Sequence, residues 1–356
     1  MPTSPIPTRT ATPPAATPPA PGPSARRRAT GRDRLALFVA LLAALVLGAA
    51  ACGGDDDSSG ATTTAEESGA ADRTSPVTVD HRYGATTVDA APTRIVSLDT
   101  GWTDSLLAMG VTPAGYIADP SQPDGFPWRG DRLADATELT ATSALPYEQI
   151  AALQPDLIVV GYLAQDEGDY DKLAAIAPTI ASLGDSQVDK WQDQVEVAGR
   201  VLGDEETAEE VVAEVDGQVA EVATALPGLE GKTFSFANYV AGDAIYVLGD
   251  PDDGANVLFG QLGLVIPDEI QADADQGRVE LSFEQIGMLD GDLLLALLNG
   301  TDPSAIAGWD ELPAVRADSV VDMDYSLAVA LNTPTPLSIP WALEQIRPQL
   351  DRIAAA

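Results

Sequence analysis

The sequence predicts an α/β protein of two lobes joined by a helical segment, and three observations lead there. The stretch YEQIAALQPDLIVV (Tyr147–Val160) is echoed by FEQIGMLDGDLLLA (Phe283–Ala296), with six of fourteen paired positions identical at an offset of 136 residues. Solenoid repeats recur at a short fixed period, so an echo at domain spacing reads as two similar lobes. Around each copy, helical runs alternate with short β-branched runs, the pattern of βαβ units with parallel strands and right-handed crossovers. Between the copies, from Trp191, the chain turns helical for some thirty-five residues.

In chain order, residues 1–51 read as an N-terminal extension and export signal. Met1 to Ala25 is rich in Pro, Thr and Ala and forms no packed core. RRRATGRDR (Arg26 to Arg34) followed by LALFVALLAALVLGAA (Leu35 to Ala50) has the charged and apolar regions of an export signal. A transmembrane anchor, which needs about 20 apolar residues, is the competing reading. The run ends at Ala49-Ala50-Ala51 before Cys52, the chain's only cysteine. This arrangement resembles a bacterial lipoprotein signal, which implies that Cys52 is lipidated after cleavage. Residues 52–75, rich in Gly, Ser, Thr and acids, read as a disordered tether.

The formal charge of -36 excludes a nucleic-acid binder, whose phosphates demand Lys and Arg stripes. Eleven of the 19 basic residues lie from Arg94 onward, so an anionic ligand would have to find a local arginine rather than a basic surface.

Residues 76–190 read as the N-terminal α/β lobe. RIVSL (Arg94–Leu98) is a strand, TDSLLAMG a helix ended by Gly110, and VTPAGYI the next strand. YEQIAALQ is helical, Pro155 stops it, and DLIVV is a buried strand. YDKLAAIAP and TIASL continue the alternation. The connecting segment, residues 191–226, breaks at Gly203-Asp204, where Asp204 is a new N-cap. Beyond it Ala208, Val211, Val212, Val215, Val219, Val222 and Leu226 form one apolar stripe. Residues 227–356 read as the C-terminal lobe, with strands at KTFSFANY, AIYVLG and VVDM and helices at ANVLFGQLG and WALEQIRPQL.

Ligands of open α/β sheets gather at the carboxyl ends of strands and at domain interfaces. Four predicted strands are each followed by an aromatic: Trp102, Tyr162, Tyr239 and Tyr325. With 19 aromatics in the chain, that placement points to a lined cleft, although each ring by itself also serves as a core cap. The loop SQPDGFPWRGDRL (Ser121 to Leu133) adds Phe126, Trp128, Arg129 and Arg132. Trp309 and Trp341 read as packing.

His81 is the only histidine and precedes the first strand of the lobe, so a protein-made zinc site or a Ser-His-Asp triad lacks its residues. No GxxxxGK[ST] or GxGxxG loop occurs. Glu148 and Glu284, equivalent in the echoed phrase, are the remaining carboxylate pair. Each stands in a first helical turn, where the helix dipole favours a negative charge, and Ser282 with Gln285 has a capping-box pattern.

PVTVDHRYGATTVDAAPTRIVSLDTGWTDSLLAMGVTPAGY, PYEQIAALQPDLIVV, YDKLAAIAPTI and GWDELPAVRADSVV, in this order and spacing from about Pro76 to the end, together resemble the class III substrate-binding lipoproteins of ABC importers, closest to the actinobacterial ferric-siderophore branch. The resemblance implies two Rossmann-like α/β lobes joined by a long rigid helix. It implies no enzyme and no cofactor, but a monomer anchored by lipid to the outer face of the cell membrane. Its ligand would be a ferric siderophore whose own atoms hold the iron. Trp102, Trp128, Arg129, Tyr162, Tyr239, Tyr325 and Asn332 are the expected walls of the site. Glu148 and Glu284 are the expected docking contacts with an ABC permease. Haem or cobalamin as cargo, a surface hydrolase using the two glutamates, and a lipid-anchored scaffold are the alternatives. The scarcity of arginine favours a hydroxamate or mixed chelate over a catecholate or citrate complex.

Overall fold

The computed structural model describes residues 75–141, 144–184, 188–274 and 277–356. The export signal, Cys52 and the tether up to residue 74 lie outside the described residues. The two short β-branched runs after Pro76 form a hairpin, β1 (Val77–His81) and β2 (Gly84–Val88), turned at Gly84 with φ 121°. The sequence reading placed His81 ahead of the first strand. It lies instead at the end of β1, buried beside Thr86 and Tyr170.

The N-terminal lobe then runs β3 (Ile95–Ser97), α1 (Thr100–Ala108), β4 (Gly115–Ile117), β5 (Thr137–Leu139), α2 (Tyr147–Ala152), β6 (Leu157–Val159), α3 (Glu167–Ala174) and β7 (Thr179–Ile180). Its sheet, ordered β5-β4-β3-β6-β7, is wholly parallel. The central strands β3 and β6 are buried along their length, as parallel strands covered on both faces must be.

Two helices follow, α4 (Trp191–Leu202) and α5 (Glu205–Ala225). They meet where expected. Gly203 takes φ 77°, which ends α4, and the Asp204 carboxylate accepts from Thr207 N at 3.3 Å to start α5. The predicted stripe of α5 faces inward: Ala208, Val215 and Val219 are buried, and Val211, Val212 and Val222 pack beside them.

The C-terminal lobe is built from β8 (Phe234–Tyr239), β9 (Ile245–Leu248), α6 (Gly254–Gln261), α7 (Asp268–Asp273), β10 (Arg278–Leu281), β11 (Leu293–Leu297), α8 (Pro313–Arg316), β12 (Val320–Asp322), α9 (Tyr325–Asn332) and α10 (Ser338–Ala354). Its sheet is ordered β10-β9-β8-β11-β12. The strands β8, β11 and β12 are parallel, while β9 and β10 run antiparallel at the edge. The echoed phrase thus leads into β6 in one sheet and β11 in the other, each strand paired with the first parallel strand of its lobe.

One apolar cluster runs without interruption from Trp102, Leu106 and Val195 through Val215 and Val219 to Phe234, Leu293, Ile339 and Ile346. The connecting helices are therefore mortar as well as a link. α4 packs on α1 and α5, and α5 reaches α6 and α10. Hinging the lobes would open this core to water, at roughly 25 cal/mol for each Å2 of apolar surface exposed. That is the physical basis of a stiff connection.

Candidate functional site

The cleft between the lobes is bounded by the carboxyl ends of the parallel strands. Asp99 and Thr100 follow β3, Asp119 follows β4, and Gly161 and Tyr162 follow β6; across from them stand Asn238 on β8 and Tyr325 after β12. They line an inner chamber of about 340 Å3. An outer chamber of about 660 Å3 shares Asp189, Arg278 and Pro334 with it and extends between the segment before α4 and the start of α6. Both have residues of both lobes in their walls.

Asp99 shows how local structure builds the floor. Its carboxylate is the N-cap of α1, accepting from Trp102 N at 3.0 Å. Gly161 lies so close that a Cβ there would collide with the Asp99 carboxylate. Burial pushes the Asp99 carboxyl pKa up, against the hydrogen bonds from Trp102, Gln194 and Gly101 that favour its ionised form. Asp189 accepts from Leu183 N at 2.9 Å and Gly184 N at 3.3 Å. Burial still pushes its carboxyl up to about 6, helped by the charges of Asp99 and Asp193.

Tyr162 and Tyr325 stand open in the cleft, 55% and 40% exposed. The Tyr325 hydroxyl donates to Asp119 Oδ2 at 2.8 Å and so ties the two lobes at the surface. Asn332 lines the same chamber and accepts from both terminal nitrogens of Arg278 at 3.4 Å. Three of the expected wall residues are thus brought together.

The other four are not. Trp102 lies in the first turn of α1, 1% exposed in the core against α4, because its N–H is the one that Asp99 caps. Trp128 is 6% exposed, stacked on Phe126 with centroids 4.6 Å apart and tilted against Trp341 at 5.3 Å. Tyr239 ends β8 half-buried against Phe283, not in the cleft. Arg129 is 5% exposed, gives its Nε to Asp104 Oδ1 at 2.6 Å and Nη2 to the Thr100 carbonyl at 3.3 Å, and lines neither chamber but a depression of about 220 Å3 that adjoins the inner one at Asp119.

Asp104 is the centre of a fully buried junction. Besides Arg129 it accepts from Trp128 Nε1 at 2.7 Å and, across the lobe boundary, from Thr335 Oγ1 at 2.7 Å. Ser338 completes the knot by donating its N–H to Thr335 Oγ1 at 2.9 Å and accepting from Thr335 N at 2.9 Å.

Glu148 and Glu284 are both exposed and line neither chamber. Glu284 stands on a 3-10 turn (Phe283–Leu289) and borders an open depression with Gly308, Glu311 and Arg316. The Gln285 side chain folds back to accept from Ser282 N at 3.0 Å and Ser282 Oγ at 2.9 Å. A hydrolase's carboxylate pair must converge within about 10 Å of one bond, whereas Glu284 borders its own depression and Glu148 lines neither that depression nor the two chambers. Among the described residues no group of three or more His, Cys, Asp or Glu is placed to hold a metal ion.

Sequence reasoning missed Asp99, Asp119, Asp189 and Arg278. Asp99 carried a usable signal, an Asp directly after a strand and before a helical run, which is an N-cap at a strand end. Arg278 opens β10, an edge strand too short to read from RVEL alone.

A family model described as periplasmic binding protein matches residues 95–327. A probable siderophore-binding lipoprotein of Bacillus subtilis, YfiY, is 26% identical over 305 residues, 81% of this chain and 89% of that one. The ferric enterobactin-binding periplasmic protein FepB of Escherichia coli is 30% identical over 254 residues, 67% of this chain and 76% of that one. A periplasmic solute binding protein of Mycobacterium smegmatis superposes with a TM-score of 0.67 at 28% identity, covering 78% of this chain and 99% of that one.

Proposed function

This chain belongs to the periplasmic binding protein family, and on that premise we propose that it is the lipid-anchored, outward-facing substrate-binding protein of an ABC importer, which captures a ferric siderophore between its lobes. The observation that carries the reading is the inter-lobe cleft itself, which opens at the strand ends of both sheets and presents two exposed tyrosines. Under this reading the chelate supplies every atom bound to iron. The protein supplies shape, apolar rings and hydrogen bonds from Tyr162, Tyr325 and Asn332. The lobes are residues 76–190 and 227–356, with 191–226 between them. The protein acts as a monomer and catalyses no reaction.

Glu148 and Glu284 are the contacts offered to the permease. Equivalent places in the two sheets, solvent exposure and absence from the cleft support that role. The duplication of the phrase follows, since a two-fold permease needs one such surface from each lobe.

The test is a titration of tryptophan fluorescence with ferric chelates, haem and cobalamin. Trp191, which borders the outer chamber, is the reporter. Saturable quenching by a ferric chelate alone is the expected result, and quenching by haem or cobalamin alone would replace the cargo. Glu148→Gln with Glu284→Gln should leave chelate affinity unchanged and abolish uptake by cells; loss of affinity would return the glutamates to the ligand site.

A further inference from the structure

We propose that this cleft selects ferric chelates without net negative charge, cationic hydroxamates above all, and that Asp99, Asp119 and Asp189 set the preference. The proposal rests on the siderophore reading and specifies its chemistry. In the inner chamber those three aspartates face a single cationic side chain, Arg278. The outer chamber adds four more aspartates and only Lys190. Nor is Arg278 a free cation, because it leans on Asn332 and its charge already acts on Asp253.

Three further basic residues are engaged elsewhere. Arg129 is buried on Asp104, Lys232 pairs with Asp292 at 3.4 Å, and Arg347 pairs with Asp351 at 2.7 Å. A triply anionic catecholate complex would therefore place its charge against carboxylates in a partly desolvated space, where like charges repel more strongly than in water. Burial raises the carboxyls of both Asp99 and Asp189, which line the inner chamber.

A hydroxamate complex fits the same walls. Three hydroxamates neutralise the ferric charge, so a trihydroxamate has a neutral core whose oxygens suit the tyrosine hydroxyls and the amides of Asn238 and Asn332. A terminal ammonium on such a ligand would supply the cation that Asp99, Asp119 and Asp189 lack, as a charge-assisted hydrogen bond. The chain's overall charge of -36 would also draw a cationic chelate in from solution.

The experiment measures affinity for five probes: ferrioxamine B, whose free amine makes it cationic; the same chelate with the amine acetylated; neutral ferrichrome; ferric citrate; and ferric enterobactin. Ferrioxamine B is expected to bind about tenfold or more tightly than its acetylated form, equivalent to ~1.4 kcal/mol. The two anionic chelates should bind weakest. In Asp119→Asn and Asp189→Asn, shown by circular dichroism to be folded, the gap closes to less than about threefold. Tighter binding of citrate or enterobactin, or indifference to acetylation, would overturn the charge preference and leave the siderophore reading standing. Silence from all five would remove both.

Discussion

Replacing Asp104 with Asn should be among the most damaging single changes in the folded body. The side chain is fully buried and takes three short hydrogen bonds, from Arg129, Trp128 and Thr335. Asn keeps the shape but removes the charge, leaving Arg129, 5% exposed, as an uncompensated buried cation. Breaking one side of a buried pair costs about 3–5 kcal/mol, whereas replacing both partners by apolar groups is often neutral. In a body of this size each kcal/mol moves the melting temperature by roughly 2–4 °C, so Asp104→Asn should lower it by about 6–20 °C. Asp104→Leu combined with Arg129→Met removes both charges and should recover part of that loss, the buried Trp128 N–H and Thr335 hydroxyl still lacking their acceptor. Differential scanning calorimetry of Asp104→Asn and of the double variant, at one scan rate, reads the pattern. An Asp104→Asn melt within about 2 °C of wild type would refute the account of the junction. The double variant should also bind chelate as wild type does, since Arg129 lines neither chamber; a lost ligand would restore Arg129 to the site.

Three further outcomes follow from the geometry. Asp189, held at about 6 against an ordinary 3.8, binds its proton more tightly when folded, so its contribution to stability is full below pH 3.8 and is lost as pH rises through 6. Asp189→Asn should therefore melt higher than wild type at pH 7.5 and with it at pH 3.5. Between pH 7.5 and 5 the affinity for ferrioxamine B should fall, while that for its acetylated form holds; the charged groups that share the chamber walls with Asp189 are Asp99, Asp119 and Arg278 in the inner chamber and Lys190, Asp193, Asp250, Asp252 and Asp253 in the outer one. Gly203→Ala, which forces a Cβ into a residue at φ 77°, should cost about 1 kcal/mol in urea unfolding without touching ligand affinity. Tyr325→Phe removes the bond to Asp119 across the cleft and should speed chelate dissociation in stopped-flow by about two- to fivefold, since an exposed hydrogen bond is worth ~0.5–1 kcal/mol.

The sequence by itself determined the two-lobed α/β order, the helical joint at Gly203-Asp204 and the equivalence of Glu148 and Glu284, because periodicity, caps and repeats are local properties of neighbouring residues. It also located Tyr162 and Tyr325 just after strands, whereas Asn332 entered only through the family resemblance. Tertiary structure decided which aromatics turn inward. Trp102 and Tyr162 both follow a strand, but the Asp99 cap draws one into a helix packed on α4, while the other is left in a turn facing the opposite lobe. It alone decided the partners of Arg129 and Thr335: Asp104 lies 25 residues from one and 231 from the other, and it meets Thr335 only when the lobes dock. The acidity of the cleft is of the same kind. Asp99, Asp119, Asp189 and Arg278 are scattered among many surface acids in sequence, and only the packing of two sheets end to end gathers three carboxylates around one cation.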